Sequence, residues 1–201
     1  MYYFEIAVTA QSVILGFACA RLLHATPHLF FKLFDLKIYL VWYVLCLHIL
    51  ITFWTTINIS KLPDFDFLDF VLLMIYSGVS FIMCDSVFPS NSDKIISWEE
   101  HYFAINKIFW VCNILCALTL IIYIEKSLHI ALGEDYYIVY FIGIFPWIIY
   151  SLIAYFYQKS KVQWIVLILL TVNYTFHALS TFFNQQTKFY KLQKNYYSFW
   201  C

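Results

Sequence analysis

KVQWIVLILLTVNYTFHALSTFFNQQTK, residues 161–188, has no Asp, Glu, Lys or Arg between its two terminal lysines. A helix needs about 20 residues to cross the hydrocarbon of a bilayer, so this run is long enough to span one. Working outward, the same holds between Lys37 and Lys61 and between Asp135 and Lys159. These three gaps alone set the solvent around much of the chain as lipid.

Composition agrees. Of the 201 residues, 63% are AVILMFWYC and 12% are charged, against about 45–50% and 25% in soluble domains. Lys+Arg and Asp+Glu both total 12, so no charge excess draws a nucleic acid, and none is expected as a partner. Five of the six cysteines (Cys19, Cys46, Cys84, Cys112, Cys116) lie in apolar segments, where a thiol serves as a small hydrophobe and disulfides are not implied. The chain opens Met1-Tyr2-Tyr3-Phe4-Glu5 without a basic leader or clear cleavage site, so the first segment is expected to stay in the mature protein.

The expected fold is an all-α, polytopic transmembrane helical bundle of about six spans without a soluble domain. The spans cover residues 4–24, 38–57, 66–88, 102–124, 136–158 and 162–184, and a basic-aromatic tail follows at 185–201. Pro27 is read as the break after the first helix, and Leu29–Asp35 as an interfacial piece. Pro63 and Asp64 open the third helix and Pro89 closes it. Asp64, Asp66 and Asp69 suit the positive end of the helix dipole there.

Basic residues set the expected orientation. The first, third and fifth connections carry Arg21, Lys32, Lys37, Lys94, Lys107, Lys159 and Lys161, whereas the second and fourth carry Lys61 and Lys126. The odd connections should face the cytoplasm, with both termini outside, although Lys188, Lys191 and Lys194 in the tail pull the other way. Tyr2, Tyr3, Trp98, Tyr136, Tyr137, Tyr155, Tyr157, Trp164, Tyr196, Tyr197 and Trp200 crowd the span ends, as in an aromatic belt.

Ionisable residues inside spans are costly and so are candidate functional residues. The first and third helices run the same way, which puts Arg21 and Asp85 at similar depth near the membrane surface. Three roles stand open for Arg21: an ion pair with Asp85, a gating or anion contact, or snorkelling to the headgroups. Deeper in the membrane, His48 with Thr52, Thr55 and Thr56, Asn113 with Asn106, and Asn173 with His177, Ser180 and Asn184 form three polar stripes. A shared seam of His48, Asn113, Asn173, His177 and Ser180 can act as interhelical glue or line a wet path. His48 and His177 also raise b-type haem, although their depths differ. His24 with His28, and Cys112 with Cys116, give no metal set, so neither metal nor cofactor is expected. Thr9, Ser12, Gly16 and Ala20 form a small-residue ridge on the first helix that lets another backbone approach closely.

From Glu5 to about Leu120 the chain resembles a group of bacterial multi-pass inner-membrane proteins of uncharacterised function. The likeness lies in Gly16 followed by Arg21-Leu22-Leu23, in Trp42, Phe53 and Trp54, and in Phe67-Leu68 leading to Pro89. Glu100-His101-Tyr102 before Asn106 and Phe109 completes it. In size and span number the chain is also similar to the small membrane accessory proteins of type VI-B CRISPR systems, which implies an antiviral modulatory role. The expected function is non-enzymatic: an oligomeric pore-forming or regulatory component of a bacterial inner membrane, with the lipid bilayer and either further copies or a membrane complex as partners. A haem- or quinone-binding redox protein is the alternative.

Overall fold

The computed structural model describes residues 2–31, 36–59, 65–88, 95, 97–123, 125 and 144–197, with side chains described over 4–27, 36–53, 65–88, 95, 97–123, 125, 144–176 and 178–179. Within these residues the chain is an all-α helical bundle. Its helices are α1 (Tyr2–Phe31), α2 (Leu36–Ile59), α3 (Phe67–Val87), α4 (Trp98–Tyr123), α5 (Phe145–Phe156) and α6 (Ser160–Tyr197). The first four contain windows long and apolar enough to cross a membrane, and α5 and the Ser160–Phe176 part of α6 are shorter apolar helices. The chain is therefore built to associate with a membrane.

Packing closes the helices into a ring. α3 lies between α1 and α4, α5 between α4 and α6, and α2 between α6 and α1, while α2 also touches α4 across the middle. Phe4 meets Phe65 edge-on at 5.5 Å at one end of the α1–α3 pair, and Arg21 meets Asp85 towards the other. α1 is the least enclosed of the four long helices, with 28% of its apolar window buried against 50% for α2. It forms the outer wall, and α2 borders the core.

Three features of the helix ends add to the sequence reading. Pro27 does not end α1, which runs on to Phe31. A proline inside a membrane helix is tolerated: Pro27 withdraws the one hydrogen bond that Leu23 O would accept, and one residue earlier Leu22 O accepts from Thr26 Oγ1 at 2.8 Å and from Trp42 Nε1 at 3.2 Å. Past the expected span end at residue 184, α6 continues unbroken, 38 residues in all, to Tyr197, about 57 Å at 1.5 Å per residue. Finally, α5 is described from Phe145, with Pro146 in its first turn, where its missing N–H costs little; residues 136–143 of the expected fifth span lie outside the described residues.

The start of α3 is defined by a capping box. Asp66 Oδ1 accepts from the Leu68 and Asp69 amides at 2.8 and 3.1 Å, and Asp69 Oδ2 accepts from the Asp66 amide at 3.0 Å. The acidic residues at this helix start thus bind orphan backbone donors. At its other end, His101 Nε2 lies 3.0 Å from Val87 O, so α4 supplies a donor to the last turn of α3.

Candidate functional site

His48, near the middle of α2, is 1% exposed and is the centre of the polar interior. Its Nε2 lies 2.8 Å from Ser80 Oγ on α3 and its Nδ1 lies 3.1 Å from Tyr174 Oη on α6. The hydroxyl of Ser80 donates to Tyr76 O at 2.8 Å, so its oxygen accepts from His48. That leaves Nε2 as the protonated nitrogen and Nδ1 as the acceptor of the Tyr174 hydroxyl. A neutral imidazole is thereby satisfied on both sides, as a buried polar ring requires.

Other helices complete the hub. The Tyr76 ring stacks on His48 at 5.3 Å, and Trp147 of α5 meets it edge-on at 5.9 Å. Cys116 Sγ of α4 lies 3.8 Å from Ser80 Oγ. Thr52 Oγ1 donates to His48 O at 2.7 Å and lies 3.5 Å from Tyr76 Oη. The Trp147 indole donates to Asn113 Oδ1, and Asn113 Nδ2 reaches Met83 Sδ at 3.3 Å. Five of the six helices, all except α1, each place a side chain in this one network.

The structure brings His48 and Asn113 of the sequence-derived seam together, with Trp147 as the bridge. Asn173 is half-buried and stands beside the face α6 turns inward, which is formed by Gln163, Leu167, Leu170, Tyr174 and Ala178. The α6 side chain that reaches His48 is Tyr174, whose hydroxyl stands outside the sequence-derived seam. The side chains of His177 and Ser180 lie outside the described residues.

A second polar cluster closes the α5–α6 turn. Gln163, 0% exposed, accepts from Tyr102 Oη at 2.7 Å and Trp110 Nε1 at 3.0 Å, and donates to Ala154 O at 2.6 Å and Tyr157 O at 3.0 Å. Gln158 Nε2 donates to the Ala154 and Tyr155 carbonyls, and its Oε1 accepts from Asn106 Nδ2. Two glutamines therefore cap the end of α5, where carbonyls lack helical partners. The signal was present in the sequence as two glutamines flanking Lys159 and Lys161.

Among the described residues, charged side chains lie outside the hub network. Arg21 Nε lies 2.7 Å from Asp85 Oδ1, both side chains being half-exposed; the guanidinium N–H is not aimed at that oxygen, so the pair is a charge contact without hydrogen-bond alignment. Lys37 is different. Read in the sequence as part of a connection, it is buried at the start of α2, where its Nζ binds Glu99 Oε1 at 2.7 Å and lies 4.9 Å from the Phe103 ring centre and 5.8 Å from that of Trp164. Aromatic faces and a carboxylate together hold the ammonium.

Among the described residues no group of three or more His, Cys, Asp or Glu side chains is arranged to hold a metal ion. Both His48 ring nitrogens are taken by protein hydroxyls, so haem ligation by His48 requires the loss of one of those bonds. No family model, curated protein or solved structure matches the chain.

Proposed function

We propose that this chain is a non-enzymatic, multi-pass component of a bacterial inner membrane, acting as an oligomeric pore-forming or regulatory subunit whose histidine hub holds a closed arrangement of helices. What supports this reading is the hub itself: a neutral, doubly bonded His48 ties α2 to α3 and α6, and through Trp147 and Asn113 to α5 and α4. Interhelical hydrogen bonds in membranes contribute about 0.6 kcal/mol each on average, so such a network holds a state without locking it. A switch needs that balance.

The outer face of α1 supports the oligomeric part of the proposal. Thr9, Ser12, Gly16 and Ala20 all face away from the bundle, and a Cβ added at Gly16 meets nothing within 4 Å. The antiviral accessory role implied by the resemblance in architecture is the regulatory version of the same proposal. Ion or dye flux through liposomes containing the purified protein tests it. The expected result is low flux from the native chain and raised flux from His48→Leu and Tyr174→Phe; no flux from either variant in folded, oligomeric protein refutes the pore version and leaves partner capture from the native membrane as the test of the regulatory one.

A further inference from the structure

Buried serine and threonine hydroxyls in this bundle follow one pattern, and one residue departs from it. Thr52, Ser77, Ser80 and Thr119 each donate to the carbonyl four residues back, at 2.7–2.8 Å. Ser151, on the inward face of α5 and 0% exposed, does not, and its Oγ has no hydrogen-bond partner among the described residues. Back-bonding is the default for a hydroxyl in a membrane helix, and an unmade buried hydrogen bond is costly. Asn106 shows the same deficit on the facing helix: it is 0% exposed, its amide nitrogen donates to Gln158, and its Oδ1 has no partner.

The two orphaned oxygens belong to one seam. α4 and α5 are tied at one level by Trp147 to Asn113 and at another by Gln158 to Asn106. Ser151 lies one turn past Trp147 on the same face of α5, between those two ties. Beyond Gln158, at the turn into α6, are the exposed Lys159 and Lys161. Polar groups thus run from a charged surface inward along α4 and α5, with one orphan at the outer tie, on Asn106, and the other, on Ser151, between the ties. Water is the ligand that donates to an amide oxygen and exchanges hydrogen bonds with a hydroxyl, and a buried water needs two to four polar partners.

We propose that the α4–α5 seam holds internal water, admitted from the end of the bundle that carries Lys159 and Lys161, reaching Ser151 and stopped by the Trp147 indole before the His48 hub. The seam is a blind, hydrated inlet. This stands apart from pore activity, because a protein that conducts nothing can still hold this water, and a negative flux experiment leaves the inlet untouched.

Thiol accessibility tests it in the full-length protein in sealed vesicles of either orientation. The probe is the membrane-impermeant anion sulfonatoethyl methanethiosulfonate, which modifies the thiolate and therefore reports water at the thiol. Labelling is read peptide by peptide by mass spectrometry, so the native cysteines serve as internal references. Ser151→Cys is expected to label about tenfold faster than Ile149→Cys, which faces outward, and only from the Lys159 side. Equal rates at the two positions overturn the inlet, and equally fast labelling of Thr52→Cys from that side overturns the stop at Trp147. Ser151→Ala gives an independent readout of opposite sign: a dry seam loses an unsatisfied hydroxyl and the thermal midpoint rises, which overturns the proposal, whereas a hydrated seam loses a water ligand and the midpoint falls.

Discussion

The centre of the bundle and its rim handle polarity in different ways. At the centre, His48, Ser80, Tyr174 and Asn113 are neutral groups that donate to and accept from one another with almost no exposure. At the rim, Arg21–Asp85 and Lys37–Glu99 are charge pairs, and each has at least one half-exposed or exposed member. The difference follows from the solvent. Removing a full charge from water costs several kcal/mol, so charges stay where headgroups and water reach them, while neutral hydrogen-bonding groups are carried to mid-membrane once each has a partner.

The sharpest way to break this comparison is His48→Leu. It removes two side-chain hydrogen bonds and leaves the Tyr174 and Ser80 groups in the dry core with one partner fewer, so it is expected to lower stability by about 2–3 kcal/mol in detergent or bicelle unfolding. A loss no larger than that of a rim substitution would show that the centre is not special. Next comes Glu99→Gln, which removes the Glu99 carboxylate from Lys37 where it lies among Phe103 and Trp164. The expected cost is about 1–2 kcal/mol, below the ~3–5 kcal/mol of a fully buried pair because the Glu99 side chain is 61% exposed. Lys37→Met should recover most of that loss when combined with Glu99→Gln.

Arg21→Gln sharpens the rim. Its contact with Asp85 is half-exposed and not hydrogen-bond aligned, so about 0–1 kcal/mol is expected, falling further with added salt. A larger cost would mark Arg21 as more than a charge contact. Smallest in stability is Gly16→Leu, expected to change the unfolding midpoint by nothing measurable, since its added side chain meets open space. Its readout is the oligomer: cross-linking or light scattering in detergent should show a smaller assembly, and an unchanged one removes the α1 ridge from the oligomer interface.

The helices were legible because lipid imposes a length and forbids charge, and both conditions are written locally in stretches such as Lys161–Lys188. The depth of Arg21 and Asp85 could be read for the same reason. Their pairing also needed the parallel course of α1 and α3, which follows from counting spans. What escaped was anything set by a distant partner. Lys37 reads as a connection lysine until Glu99, 62 residues on, is brought beside it. Tyr174 reads as one more aromatic in a chain with seventeen tyrosines, and only the facing imidazole shows that its hydroxyl matters.

α6 carries Tyr174 and then continues without a break to Tyr197, while the hydrocarbon of a bilayer is only about 30 Å thick. It is therefore a mast rooted in the hub: a twist or tilt applied to its far end is transmitted along a rigid shaft to one of the two hydroxyls that steady the His48 ring, so contact with the chain outside the bilayer is mechanically connected to its dry centre.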